Sequence, residues 1–242
     1  MVSILRDVNV NNADVKMLGE FCEAKLNLKE VHFPPDYHSV PLCVIDAVFS
    51  LGIKYQTTEK VVKRIATHFK TPLTRGSDLP MREEQLSVTA FISGFNELGV
   101  EKMTADVFGN RNLTSPTNGI LKSEAVLQFC LVLQNFQVDY LQDISVILNR
   151  PDFEKAIQVI PGQGTGISLK YFYMLTGSDE LIKPDRMIFR FIKSALWRTV
   201  DIQECQKLLE AVCELLSATY PKLTLKQLDY GIWQYQRSIS SI

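Results

Sequence analysis

Helical periodicity runs through nearly the whole chain, and no segment alternates apolar and polar residues for long enough to predict a strand. Residues 41–53 (PLCVIDAVFSLGI) open on a proline and run apolar, which suits a buried helix. Residues 57–69 continue as an amphipathic helix with Val61, Val62, Ile65 and Phe69 on one face. Residues 84–98 place Leu86, Phe91, Phe95 and Leu98 at helical spacing. Residues 123–136 begin at Ser123, the expected N-cap, and carry Val126, Leu127, Cys130, Leu131 and Leu133. Further helices are expected over 138–148 and 202–219. Thr224 and Gln227 then predict a capping box ahead of a last helix carrying Leu228 and Ile232. Breaks fall where Gly, Pro, Asn and Asp cluster: 32–41, 71–80, 109–119, 149–151, 161–166, 176–184 and 220–223. No repeat of fixed period is present. The expectation is an all-α fold of about nine or ten helices with short connections, packed as a bundle and not as a solenoid.

With 242 residues, 46% of them hydrophobic and 22% charged, the chain has the composition of a globular protein with a sizeable core. No apolar run approaches the ~20 residues of a membrane span. The stretch from Met1 to Arg6 leads into polar sequence and has no signal-peptide pattern, so a cytoplasmic location is expected. The five cysteines, Cys22, Cys43, Cys130, Cys205 and Cys213, are scattered, contain no CxxC pair and are expected to be reduced core thiols. That spacing also excludes a four-cysteine iron–sulfur cluster near the C-terminus. His32, His38 and His68 have neither metal-ligand nor catalytic-triad spacing. The net charge of −1 means that any affinity for phosphate must come from a local patch and from backbone amides.

The informative segment is 157–192, IQVIPGQGTGISLKYFYMLTGSDELIKPDRMIFRFI. A short helix is expected to end near Val159, followed by the turn Ile160-Pro161-Gly162-Gln163-Gly164 and a second helix from about Thr165 to Met174 or Leu175. Glycines at 162 and 164 let the backbone take unusual angles and approach a ligand closely. The turn precedes a helix N-terminus, where unpaired amides and the positive dipole end suit a phosphate oxygen. Beyond Lys183-Pro184-Asp185-Arg186 a further helix predicts a buried stripe of Met187, Ile188, Phe191, Ile192 and Ala195. Arg186, Arg190 and Lys193 fall at i, i+4 and i+7 on its other face. Across 160–198 six Lys/Arg stand against three Asp/Glu, a local +3 in a slightly acidic chain.

This segment resembles the helix-hairpin-helix of the endonuclease III-like (HhH-GPD) DNA glycosylase superfamily, as a divergent branch. Ile160-Pro161-Gly162-Gln163-Gly164 matches the family's hairpin, and Asp185 falls where its catalytic aspartate belongs. The resemblance extends back to about residue 41, while the first and last forty residues or so carry no matching motif. It implies two closely packed helical subdomains, one built from 1–40 plus 185–242 and one from 41–184 carrying the hairpin over 157–175.

The resemblance also implies roles. Asp185 would support loss of a base from deoxyribose by stabilising an oxocarbenium-like transition state or activating water. Lys183 and Arg186 beside it tend to keep it ionised. Gly162, Gln163, Gly164, Thr165 and Gly166 would hold the DNA backbone together with Arg186, Arg190 and Lys193. Bifunctional members carry a Schiff-base lysine where this chain has Gly166, and Lys170 is one helical turn further on, so no lysine-dependent lyase step is expected. A monovalent cation, Na+ or K+, would sit on the main-chain carbonyls of Gln158, Ile160 and Gln163, and no other cofactor is implied.

Gln56, in Gln56-Thr57-Thr58, resembles the family's wedge that fills the gap left by a flipped base. Tyr171, Tyr173, Trp233 and Tyr235 are expected in the core, with stacking on a base as the alternative. Two departures stand out: Met187 replaces the histidine often found two residues after the aspartate, and Lys-Pro precedes it. The implied function is a monomeric, monofunctional DNA N-glycosylase acting on double-stranded DNA in base-excision repair. The alternatives are a DNA-binding or accessory protein of the same fold without catalysis, and a helical protein that uses no nucleic acid.

Overall fold

A computed structural model describes residues 10–29, 36–76 and 78–240. Met1–Arg6 and His32 lie outside the described residues. Among the described residues the chain is all-helical, with only two isolated bridges, Tyr37 to Thr74 and Leu113 to Leu121, outside helices and turns. The α-helices are α1 (Asn12–Lys25), α2 (Val40–Phe49), α3 (Tyr55–His68), α4 (Val88–Lys102), α5 (Lys122–Asn135), α6 (Pro151–Gln158), α7 (Ile167–Leu175), α8 (Arg186–Leu196), α9 (Ile202–Ser217) and α10 (Leu225–Ser240). None is long and apolar enough to cross a membrane.

The chain divides into two units, Met1–Pro34 with Ser178–Ile242, and Pro35–Gly177. The boundaries fall at 34/35 and 177/178, against 40/41 and 184/185 expected from the sequence. The shift at the second boundary has a physical reason. Ile182 is fully buried in the core of the first unit, and the Lys183 N–H donates to Asp229 on α10 at 3.0 Å.

In the first unit, α1 packs on α8 and α9, and α10 packs on the same two helices. Leu18, Cys22, Phe191, Ile192, Leu208, Leu209, Val212, Leu228 and Ile232 are fully buried between them. α9 starts at Asp201, whose side chain accepts the Glu204 N–H at 2.8 Å. α10 starts with the expected capping box: Thr224 N–H donates to Gln227 Oε1 at 3.0 Å, and Gln227 N–H to Thr224 Oγ1 at 3.2 Å.

In the second unit α2 is central. All its residues from Val40 to Phe49 are buried, and α3, α4, α5 and α7 pack around it. Phe49, Phe91, Phe108, Phe129 and Phe172 are the large side chains of that core. α2 carries one carboxylate, Asp46, which accepts hydrogen bonds from Tyr37 Oη at 3.0 Å, Tyr171 Oη at 3.2 Å and Ser50 Oγ. Its C-terminal carbonyls are held by the buried ammonium of Lys122, which donates to Val48 O at 3.3 Å, Phe49 O at 3.0 Å and Leu51 O.

Three local expectations are corrected. Ser123 does not cap α5: the cap position is Leu121, and the Ser123 hydroxyl is buried against that of Thr104 at 2.6 Å. The helix expected over 84–98 starts at Val88, where Ser87 accepts the Ala90 N–H at 3.0 Å; residues Arg82–Glu84 form a separate 3-10 turn. Residues Leu141–Ile147 are a 3-10 helix because Asp143 accepts the Tyr140 and Asp139 N–H groups while paired to Arg82, which tightens the turn.

Candidate nucleic-acid interface

The hairpin between α6 and α7 belongs to the second unit. Ile160 is buried and its carbonyl accepts the Gln163 N–H at 2.9 Å; the Gln163 carbonyl in turn accepts the Gly166 N–H at 3.0 Å. The first of these turns needs left-handed backbone at its third residue, Gly162 (φ 86°), and Gly166, which ends the second turn and caps α7, is left-handed as well (φ 71°). A Cβ on Gly162 would stand 2.4 Å from Thr114 Cβ, so the glycine also permits close packing on the segment around Leu113. Gln163 is 1% exposed and its Oε1 accepts the Ser168 hydroxyl. Its amide and side chain are therefore both engaged inside the protein, as is the amide of the buried Gly166.

That leaves Gly162, Gly164 and Thr165 exposed, and their amides donate to no acceptor among the described residues. The Thr165 hydroxyl accepts the Ile167 N–H at 3.4 Å, at the start of α7. The result is a group of open N–H donors at a helix N-terminus, which favours an anion. Tyr171 ties the following helix to α2 through Asp46, and Tyr173 is buried and donates to the Ile147 carbonyl at 3.1 Å. Both tyrosines serve packing. Lys170 is half-buried, one turn past Gly166.

Of the three carbonyls proposed to hold a cation, those of Ile160 and Gln163 each accept one turn hydrogen bond and keep a second lone pair. No N–H donates to the Gln158 carbonyl among the described residues. Three neutral oxygens of this kind are a donor set suited to a monovalent ion. Gln56 is exposed in the first turn of α3, in the same unit, and no hydrogen bond joins it to the hairpin among the described residues.

Asp185 belongs to the first unit, as do Arg186, Arg190 and Lys193. It is the N-cap of α8: its Oδ1 accepts the Met187 N–H at 2.7 Å and the Ile188 N–H at 3.4 Å. Oδ2 has no hydrogen-bond partner among the described residues, and the residue is half-buried. Behind it, Asp229 on α10 is enclosed and accepts the Lys183 N–H. Burial, then the Asp185 charge, raises the Asp229 carboxyl to about 8, against the pull of the Lys183 amide and charge. At neutral pH Asp229 is therefore held mostly as the neutral acid beside Asp185.

Ile188, Phe191, Ile192 and Ala195 form the buried face of α8 as expected, but Met187 is only half-buried. Arg186, Arg190 and Lys193 are exposed and enter no ion pair among the described residues. Arg75, Arg82, Arg111, Arg150 and Arg198 are by contrast each paired to carboxylates. Trp233 is half-buried, stacked on Tyr230 with the Arg237 guanidinium 4.6 Å over its ring, and Tyr235 packs edge-on to Phe191. Cys22, Cys43, Cys130 and Cys205 are buried free thiols, and Cys213 is a half-buried one. Burial pushes Cys22 up to about 12, which leaves it unreactive at neutral pH.

Residues 16–237 match the family described as a domain of unknown function (DUF8548), and the chain belongs to that family. No curated protein sequence matches it. Among solved structures it is similar to the crystal structure of Methanocaldococcus jannaschii 8-oxoguanine glycosylase/lyase in complex with 15mer DNA containing 8-oxoguanine. That likeness has 17% identity and a TM-score of 0.46, over 93% of this chain and 88% of the other. At that distance the function of this chain must be argued from its own residues.

Proposed function

We propose that this protein is a monomeric binder of double-stranded DNA that excises a damaged or modified base as a monofunctional DNA N-glycosylase. The supporting observation is the pairing of two features in the segment 157–192. One is a hairpin whose Gly162, Gly164 and Thr165 amides are open at the start of a helix. The other is an aspartate with one oxygen fixed by its helix and the second without a partner.

The hairpin amides would hold a phosphate oxygen, and Arg186, Arg190 and Lys193 would bind the backbone. Gln158, Ile160 and Gln163 carbonyls would hold a monovalent cation, which adds positive charge beside that phosphate when bound. Gln56 would act as the wedge. Asp185, oriented through Oδ1, would present Oδ2 to the sugar, stabilising positive charge as the glycosidic bond breaks or taking a proton from the attacking water. A Schiff-base lysine is absent at Gly166, and the left-handed backbone there disfavours any side chain.

The test uses duplexes carrying uracil, hypoxanthine, alkylated purines or thymine mismatches, followed by alkali. Excision that disappears in Asp185→Asn, which keeps the Oδ1 cap, supports the reading. A second reading, DNA binding without catalysis, is favoured by the N-cap role of Asp185, which accounts for the residue without chemistry, and by Met187. It predicts salt-sensitive duplex binding with no excision on any of these lesions. Absence of duplex binding at low salt, unchanged by Gly164→Glu, would refute both.

A further inference from the structure

The exposed side of α8 carries three cations and, just past them, an open aromatic ring. On a helix turning about 100° per residue, Arg186, Arg190 and Lys193 share a wedge of about 60°, opposite the buried face. One turn past Lys193 the helix ends at Trp197, whose N–H donates to the Lys193 carbonyl at 2.9 Å. Trp197 is 87% exposed, more than any other large apolar side chain among the described residues. It also sits in left-handed backbone, φ 57° and ψ 20°, where glycine is the favoured way to end a helix. Packing therefore does not explain the tryptophan, and the backbone disfavours it.

The charge around it points one way. α8 contains no Asp or Glu. Near the ends of the helix, Asp201 caps α9, Asp14 and Glu204 hold Arg198, and Asp185 is held through its Oδ1 by the first amides of α8. From Arg186 to Trp197 the stripe runs about 16 Å at 1.5 Å per residue. Phosphates satisfy a row of unpaired cations, but an open indole needs the face of a base that is not already stacked on its neighbours. In an intact duplex, the bases stack on one another.

We propose that this face of α8 binds single-stranded DNA, with Arg186, Arg190 and Lys193 on its phosphates and Trp197 stacked on a base. The proposal rests on the DNA-binding reading above for its partner and adds an unpaired strand as the ligand of this face.

Tryptophan emission of the full chain is followed while it is titrated with a fifteen-nucleotide oligo(dT), with a duplex of the same length, and with inorganic polyphosphate. Trp197→Gly is the matched variant, because glycine suits the left-handed position and thermal stability is expected to be kept or raised. The expected result is quenching by oligo(dT), none by polyphosphate, and loss of the quench in Trp197→Gly. Affinity for oligo(dT) should fall between about 5-fold and about 150-fold, the range for removing one stacked base contact.

Unchanged emission on oligo(dT) binding, or equal affinity in Trp197→Gly, overturns the proposal. Duplex binding without any single-strand binding also overturns it while leaving the DNA reading intact. Absence of binding to both forms at low salt removes the DNA reading itself.

Discussion

Replacing Asp229 by Asn should flatten the dependence of stability on pH. The native carboxyl is raised from 3.8 to about 8, first by burial and then by the Asp185 charge. A carboxyl raised on folding is protonated in the native state and ionised in the unfolded state between those two values. Folding then takes up a proton, and its stabilising contribution, full below about pH 4, is lost as pH rises toward 8. In the middle of that window the loss approaches about 1.4 kcal/mol per pH unit. From pH 5 to pH 7 the wild type should therefore lose roughly 3 kcal/mol relative to Asp229→Asn, whose neutral amide still accepts the Lys183 N–H. The assay is urea denaturation of both proteins at pH 5, 6, 7 and 8. Taking the difference removes other titrations, including that of His38, whose lowered value contributes with the opposite sign. Parallel stability profiles for the two proteins would refute the assignment of a proton to Asp229.

Gly162→Ala should destabilise the protein by roughly 2 kcal/mol or more, from left-handed strain and the clash with Thr114, whereas Gly164→Ala, whose Cβ meets only the Gln158 carbonyl at 3.7 Å, should change stability little. Equal denaturation midpoints for the two would contradict the turn geometry. Lys122→Met should cost roughly 3 kcal/mol by leaving the α2 carbonyls without a donor, seen as a lower thermal midpoint. Arg190→Gln should weaken duplex binding alike across sequences and reduce the slope of log affinity against log salt by about 1; an unchanged slope would remove Arg190 from the interface.

The helical class was legible because apolar spacing averages over long segments. The hairpin and the basic side of α8 were legible because each depends on residues close in sequence, glycines at 162 and 164 or cations one turn apart, although the left-handed backbone falls at Gly162 and Gly166 and not at Gly164. What escaped depended on distant partners. Ser123 looks like an N-cap until Thr104 claims its hydroxyl. Asp143 tightens its own turn only with Arg82 arriving from another segment. Asp229 did leave a trace, since Leu225, Leu228 and Ile232 flank it on one helical face, but the sequence does not show that Lys183 closes over it. Trp197 lies on the polar side of α8 by simple periodicity, yet the turn that leaves it open is a backbone conformation, which periodicity does not report.

The discontinuity of the first unit sets a schedule for its biosynthesis. α1 emerges early, but α8 and α9, the helices that cover it, follow only after residues 26–185 have been made. At about 5–20 residues per second that is roughly ten to thirty seconds during which Leu18 and Cys22 have no native partner. Closing a flexible loop of that length costs on the order of 4–5 kcal/mol in chain entropy, and prior folding of Pro35–Gly177 shortens the effective loop. Substitutions that slow the inner unit should therefore appear first as chaperone dependence and aggregation through the apolar side of α1.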